Sequence, residues 1–237
     1  MEVNPLKILA IGGHAGDMDL TSGAALAQAV LDGHEVVLFH LTPGEKGHPT
    51  LSAQDYAQQK LEEAHAFAET IGGRARFLEY GDGELPVNDE VKFQVADVIR
   101  EEKPQVVVTH WKHSIHKDHA NAHLIVEDAV FYAEIKAFER SHPPHGVGRL
   151  YYADNWEDPF DFEPDVFVGI HEEAYLLWLK AAQHYAYARG ETGFPFIEYY
   201  KSLFVVRGLP HGFPRAEAFM RPTWSRQVRL QSLTERG

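Results

Sequence analysis

The 237-residue sequence predicts a single α/β domain, a Rossmann-like three-layer α/β/α sandwich with a mostly parallel sheet. Short apolar runs rich in β-branched residues alternate with longer segments of helical periodicity. Such alternation gives parallel strands joined by right-handed crossovers. The composition is 44% hydrophobic and 12% aromatic, enough for one sizeable core, and nothing in the sequence resembles an interdomain linker. We therefore expect one domain over residues 1–237.

Turn and capping residues mark the ends of the helices predicted in the first half of the chain. Gly72 and Gly73 are typical of a helix C-terminus, and Pro104 ends the next helix because the residue before a proline avoids the helical region. The predicted strands cover residues 7–13, 35–42, 75–81 and 105–111, and the predicted helices begin at Thr21 or cover 52–71, 89–102 and 120–138.

The periodicity changes after Pro143, where proline, aromatic and acidic residues crowd together. Residues 149–170 indicate a short strand, a long loop and a last strand. Two helices are expected over 172–188 and 196–206. The tail from Phe213 is interpreted as irregular.

Net charge and cysteine content narrow the possible functions. The formal net charge is -13, whereas a nucleic-acid or anionic-membrane binder needs a clustered basic surface, so no nucleic-acid or membrane partner is expected. The chain has no cysteine, so any metal must be held by histidine and carboxylates. No apolar stretch approaches the roughly 20 residues that span a bilayer. A cytoplasmic location is expected, and a homo-oligomer is left open.

A first polar cluster, GGHAGDMD, lies where the first strand turns into a helix and contains His14 and Asp17. A histidine and a carboxylate three residues apart can both reach one divalent cation. A glycine-rich turn with a capping aspartate, or a phosphate loop, is the alternative. A nucleotide-binding protein is disfavoured, because the glycines lack the dinucleotide-binding spacing and no acidic residue follows the second strand at the expected place.

A second cluster, HWKHSIHKDHANAH, follows the fourth predicted strand. Because the carboxyl ends of parallel strands share one edge of the sheet, both clusters are expected on the same rim. A third ligand from this run would complete a catalytic metal site with an open position. Solvated histidines at a helix start are the alternative. The polar residues of this run are His110, His113, His116, Asp118, His119 and His123.

The two clusters resemble the PIG-L/LmbE family of zinc-dependent N-deacetylases, which carry an HPDD segment after the first strand and an HxDH segment after a later one. Further runs resemble family segments across most of the chain. These runs are LTPGEKG, YGDGEL, KPQVVVTH and NWED.

The resemblance implies a Zn²⁺ site, or a site for another divalent cation, formed by His14, Asp17 and His119. It implies that His116 faces the substrate carbonyl and that Asp118 orients or charges it. The implied reaction is attack of a zinc-activated water on an acetamide, with release of acetate and an amine. The implied partner is a small N-acyl substrate, such as an N-acetylated amino sugar.

Two adjacent positions depart from the family pattern, and one of them bears on catalysis. Gly16 stands where the family has its general-base aspartate, and Ala15 replaces the preceding proline. Loss of a positioned base costs on the order of 10²- to 10⁴-fold in rate. Asp82 is the leading candidate for a substitute base, ahead of Glu84 and Asp19, although an aspartate before glycine is also typical of a plain turn.

Two further hypotheses follow from Gly16. An aspartate introduced there is predicted to raise the hydrolysis rate. The alternative function is a metal-binding family member that has lost hydrolysis and acts as a binding or assembly protein.

Trp156, in the NWED run, is interpreted either as a stacking wall for a sugar or as a core anchor of its loop.

Overall fold

A computed structural model describes residues 5–158 and 160–225. Within these ranges the chain forms seven α-helices, two short 3₁₀ helices and one seven-stranded sheet. The strands are β1 (Lys7–His14), β2 (Glu35–Thr42), β3 (Arg74–Phe77), β4 (Val106–Thr109), β5 (Arg149–Ala153), β6 (Val166–Gly169) and β7 (Ala216–Met220). The helices are α1 (Asp17–Thr21), α2 (Gly23–Leu31), α3 (Ala53–Ile71), α4 (Asp89–Glu102), α5 (Lys117–Glu134), α6 (Glu172–Ala182) and α7 (Phe196–Gly208).

The strands lie in the order β3-β2-β1-β4-β5-β7-β6. The five strands from β3 to β5 are parallel, and β7 pairs antiparallel with both β5 and β6. The mostly parallel sheet predicted from the alternation of strands and helices is therefore confirmed.

Two apolar layers cover the sheet, one on each face. Alternate residues of β1 serve different layers: Ala10 packs with α2, α3, α6 and α7, whereas Leu9 and Ile11 pack with α4 and α5. This arrangement is the three-layer sandwich that the sequence predicts.

Local signals account for several helix ends. The Ser52 hydroxyl accepts a hydrogen bond from the Asp55 amide at the start of α3, and Gly72 closes that helix with φ at 83°. The Asn88 side chain caps α4 in the same way. The limits of these two helices were predicted correctly.

Other limits were wrong. The helix predicted from Thr21 is two helices that meet at Ser22, whose φ of -134° breaks the helical path. Helix α5 begins three residues before its predicted start and ends at Glu134, and α6 ends at Ala182.

The largest error concerns the tail, which was interpreted as irregular from Phe213. Residues 216–220 form β7 and are all buried. The strand was missed because Glu217 lies inside the protein, where its carboxylate accepts hydrogen bonds from the Ala24 and Ala25 amides of α2. In the described ranges, no helix combines the length and apolarity needed to cross a membrane.

Candidate metal centre

The two polar clusters meet at the carboxyl ends of β1 and β4. His14 is the last residue of β1, Asp17 opens α1, and His119 lies in the first turn of α5. Gly13 permits the approach, because a Cβ there would stand 3.3 Å from both the Asp118 carbonyl oxygen and the His119 ring. The convergence expected from the parallel topology is present.

Three donor atoms form a nearly equilateral triangle at this meeting point. His14 Nδ1 lies 3.1 Å from His119 Nε2 and 3.3 Å from Asp17 Oδ2, and His119 Nε2 lies 3.3 Å from Asp17 Oδ2. Tetrahedral zinc with bonds of about 2.0–2.1 Å has ligand–ligand edges of about 3.3–3.4 Å. The donor set and its spacing therefore fit one face of a tetrahedral zinc site.

The charges of the triangle support the same interpretation. Burial raises the pKa of Asp17, but the charges of His119 and His14 outweigh it and hold that pKa well below its usual value. Burial lowers the pKa of His119, but the Asp17 charge outweighs it and raises the pKa to about 9. An ionised carboxylate buried beside two imidazole rings also attracts a divalent cation.

The outer nitrogens of the two histidines face further polar groups. His14 Nε2 lies 3.3 Å from Asp82 Oδ1 and 3.4 Å from Asp118 Oδ2. His119 Nδ1 lies 3.3 Å from a carboxylate oxygen of Glu157. Carboxylates in this position fix the ring orientation of a metal-binding histidine and increase its basicity.

His110 lies beside the triangle, although no specific role was predicted for it from the sequence. Its Nε2 lies 3.0 Å from Asp17 Oδ2 and accepts a hydrogen bond from the Gly13 amide, and its ring stacks on His119 with centroids 4.1 Å apart. Asp17, His110 and His119 are thus a second group able to hold a metal. His110 is not among the residues that line the cavity bordered by His14, Asp17 and His119, so it better fits a role in positioning Asp17. His14 with His116 and His119, and His14 with Asp82 and Asp118, are further groups with metal-ligand spacing.

His116 caps α5 and borders the cavity. Its Nδ1 accepts a hydrogen bond from the Asp118 amide, which leaves Nε2 to carry the proton of the neutral ring. Burial, together with the charges of His14 and His119, lowers the pKa of His116. The neutral ring can therefore donate from Nε2 into the cavity.

The carboxylate beside the His116 ring is not the one expected to orient it. It belongs to Asp82, whose Oδ1 lies 3.6 Å from His116 Nε2. The Asp118 carboxylate, which was expected there, accepts from the Gly83 amide at 2.6 Å and faces His14. Asp118 is the second residue of α5, and its side chain points towards the end of β1.

Asp82 is more than a turn residue. It is buried, faces both His14 and His116, and accepts a hydrogen bond from the Lys46 amide. Burial raises the pKa of Asp82, but the His14 hydrogen bond and charge outweigh it and bring the pKa to about 2. The other two candidates lie elsewhere: Glu84 is exposed, and Asp19 is buried where it accepts a hydrogen bond from Tyr185.

Gly16 has no room for a side chain. Its φ is 102°, and a Cβ would stand 1.9 Å from the Tyr187 hydroxyl. The structure disfavours the prediction that Gly16→Asp raises the rate, because a side chain there would require Tyr187 to move and would strain the backbone. Sequence reasoning missed Tyr187, since it lies 171 positions away in a segment with no motif.

The triangle, His116 and Asp82 border a cavity of about 250 Å³. Lys60 and Tyr187, which the sequence analysis did not identify, form part of its wall. Trp156 also lines it and stacks on Phe194 with centroids 4.9 Å apart. The stack on Phe194 agrees with the interpretation of Trp156 as an anchor of its loop, and its interpretation as a stacking wall for a sugar stays a prediction.

Comparisons with known proteins agree with this site and fold. The chain is 29% identical over 177 residues to the diacetylchitobiose deacetylase of Thermococcus kodakarensis, covering 70% of this chain and 64% of the relative. It is 32% identical over 154 residues to a 1D-myo-inositol 2-acetamido-2-deoxy-alpha-D-glucopyranoside deacetylase of Geodermatophilus obscurus, covering 52% of each. The chain thus spans about half to two thirds of these relatives.

Among solved structures, the 4-carboxy-2-hydroxymuconate hydratase of Pseudomonas putida has the same fold, with a TM-score of 0.85 and 21% identity over 96% of this chain and 100% of that one. The profile of the PIG-L family, described as GlcNAc-PI de-N-acetylase, matches residues 9–130. This match includes both clusters and a little over half of the sequence. The chain belongs to the PIG-L family.

Proposed function

We propose that this protein is a metal-dependent amide hydrolase that removes an acyl group from a small N-acyl compound, such as an N-acetylated amino sugar. The observation that carries the proposal is the triangle of His14 Nδ1, Asp17 Oδ2 and His119 Nε2 with edges of 3.1–3.3 Å. It is buried on the protein side and borders a cavity on the other. The deacetylase relatives support the reaction class.

The triangle would hold Zn²⁺ or another divalent cation, which when bound supplies a Lewis acid and a water of lowered pKa. His14, Asp17 and His119 would be its three protein ligands. The carboxylates against the outer nitrogens of the histidines would keep both rings in the ligating orientation. An open fourth position towards the cavity is typical of catalytic sites.

His116 would act on the substrate carbonyl. Its Nε2 carries the proton of the neutral ring, and the ring lies at the cavity wall with its centroid 4.5 Å from that of the His14 ring. A donor held there stabilises the negative charge that develops on the carbonyl oxygen. The N-cap contact to the Asp118 amide fixes the ring in place.

Asp82 and Asp118 complete the proposed catalytic group. Asp82 is the carboxylate that faces both His14 and His116, so it would orient these two rings. Its pKa of about 2 makes it a weak general base in the absence of metal, so its predicted role as the substitute base stays a prediction. Asp118 would hold the His14 ring through its outer nitrogen. Both carboxylates thus face His14 Nε2, the ring nitrogen that lies outside the triangle.

The test combines metal analysis with acetate release from a panel of N-acetyl sugars. Asp17→Ala and His119→Ala should each lose most of the bound metal and the activity. His113→Ala is the matched control, because that histidine comes from the same run but is exposed. If both ligand variants keep stoichiometric metal, the ligand assignment is wrong.

A hydratase is the second candidate, favoured by the fold shared over the full length of the Pseudomonas putida enzyme and by the lack of a carboxylate at Gly16. Hydration of the double bond of an unsaturated carboxylic acid, with no acetate released from N-acetyl compounds, would favour the hydratase. Bound zinc with neither reaction would favour a binding or assembly role.

A further inference from the structure

A buried lysine in the cavity wall has no carboxylate within salt-bridge distance in the described ranges. Lys60 in α3 is only 4% exposed, and its Nζ donates to the Ala15 carbonyl oxygen. The ammonium lies 3.9 Å from the ring centroid of Tyr187 and 5.1 Å from that of Tyr185. Burial lowers the pKa of Lys60 to about 8, although the charges of nearby carboxylates, Asp17 foremost, oppose the shift. Burying an ammonium without a direct ionic partner is costly, so its place in the cavity wall suggests a role in binding.

The carboxylates near Lys60 act on it through their charge and form no direct salt bridge with it in the described ranges. Asp17 lies against His14 and His119. Asp19 Oδ1 accepts from the Tyr185 hydroxyl at 2.7 Å and Glu63 Oε1 from a backbone amide at 3.1 Å. The ammonium has three donors and gives one to the Ala15 carbonyl oxygen, so hydrogen-bonding capacity remains beside the cavity that Lys60 lines.

The Tyr187 hydroxyl is a second donor at the same place. It fills the space beside Gly16, and within the described part of the chain it has no hydrogen-bond partner. Burial, reinforced by the charges of Asp17 and Asp19, raises the pKa of Tyr187 well above its ordinary value. The phenol thus stays protonated and can donate but cannot act as a base.

We propose that Lys60 and Tyr187 form a carboxylate-binding subsite beside the metal triangle, so that the substrate carries a carboxylate close to its reacting carbonyl. This inference rests on the proposed amide hydrolysis and specifies its substrate class. Lys60 touches the carbonyl oxygen of Ala15, the residue that follows His14, which places the subsite next to the triangle.

Charge and shape favour a carboxylate over other anions. A planar group with two oxygens can accept one hydrogen bond from the ammonium and one from the phenol, and bonds between charged partners are about twice as strong as neutral ones. A phosphate group carries more negative charge and would be repelled by Asp82 and Glu157, which line the same cavity. A neutral substrate would leave the ammonium unpaired.

The test uses two probes of nearly equal size, N-acetylglycine and N-acetylglycinamide, with the zinc-loaded full chain. Calorimetry should show that N-acetylglycine binds at least tenfold more tightly. Lys60→Met should abolish this preference, and Tyr187→Phe should reduce it several-fold while keeping the ring. Lys46→Met is the matched control, since that lysine lies near the cavity mouth but pairs with Glu84, and it should keep the preference.

Stability separates a binding role from a structural one. Lys60→Met should melt at or above the wild-type temperature, because the variant no longer buries a charge. If it does not fold, Tyr187→Phe still decides the question. Equal binding of both probes by the wild type, or an unchanged preference in Tyr187→Phe and Lys60→Met, overturns the subsite. Retained preference in the wild type without hydrolysis of any amide supports the subsite and contradicts the proposed reaction.

Discussion

At the scale of single residues, His116 and His119 lie three positions apart in one run but have different surroundings. His119 Nε2 belongs to the donor triangle, whereas His116 Nε2 faces the cavity beside Asp82. The identity of the residues does not distinguish them. Their roles can be separated by measuring metal content and kinetics together.

We expect His116→Ala to lower kcat and kcat/KM by similar factors, roughly 10²- to 10³-fold, with KM nearly unchanged. A donor that meets charge formed only in the transition state lowers the barrier selectively. Metal should stay bound in this variant, whereas His119→Ala should lose metal and activity together. Loss of metal in His116→Ala but not in His119→Ala would reverse the two roles.

Gly16 offers a second prediction at this scale, with Gly33 as its matched control. Both have positive φ, but a Cβ at Gly33 would meet nothing within 4 Å, whereas one at Gly16 would collide with Tyr187. Gly33→Ala should cost about 1–2 kcal/mol of unfolding free energy from backbone strain alone. Gly16→Ala should cost about 1–3 kcal/mol more from overpacking. Urea denaturation measures both, and equal losses would show that the Tyr187 contact is unimportant.

At the scale of elements, the interior carboxylate of Glu217 joins β7 to the start of α2. It is 2% exposed and accepts from two helix amides that would otherwise lack partners. Burial raises the pKa of Glu217 to about 8, and the two amide hydrogen bonds only partly oppose this. The contact that Glu217 makes between β7 and α2 is therefore expected to depend on pH.

The sign of this dependence follows from proton linkage. Between its unfolded pKa of about 4.5 and its folded pKa of about 8, the folded state holds more protons than the unfolded state. The contribution of Glu217 to stability should therefore fall as pH rises from about 5 to 8. Unfolding free energies measured across this range should decline more steeply for the wild type than for Glu217→Gln. Parallel profiles would show that the carboxyl group is ionised throughout.

At the scale of the whole molecule, the proposed metal links the two halves of the sheet's rim. Ligands from β1 with α1 and from α5 meet only in the folded chain. A ligand that binds the folded state alone stabilises it by about 2.7 kcal/mol at a concentration one hundred times its dissociation constant. Removal of the metal should therefore affect global stability as well as activity.

We expect chelation to lower the melting temperature of the wild type by roughly 5–10 °C, since about 1 kcal/mol corresponds to roughly 2–4 °C in a domain of this size. His119→Ala should show a much smaller shift, because it lacks one ligand. Calorimetric scans with zinc and with a chelator make the comparison. A shift of equal size in His119→Ala would place the stabilising metal elsewhere.

The sequence by itself determined the layered α/β fold and the meeting of its two polar clusters. Strand and helix periodicities are local, and the topology of parallel strands then brings residues such as His14 and His119 to one rim. Only the tertiary structure decided which carboxylate faces which histidine, that Tyr187 fills the space beside Gly16, and that Lys60 is buried in the cavity wall. These contacts join segments far apart in the chain, and no local pattern records them because they depend on how whole elements pack.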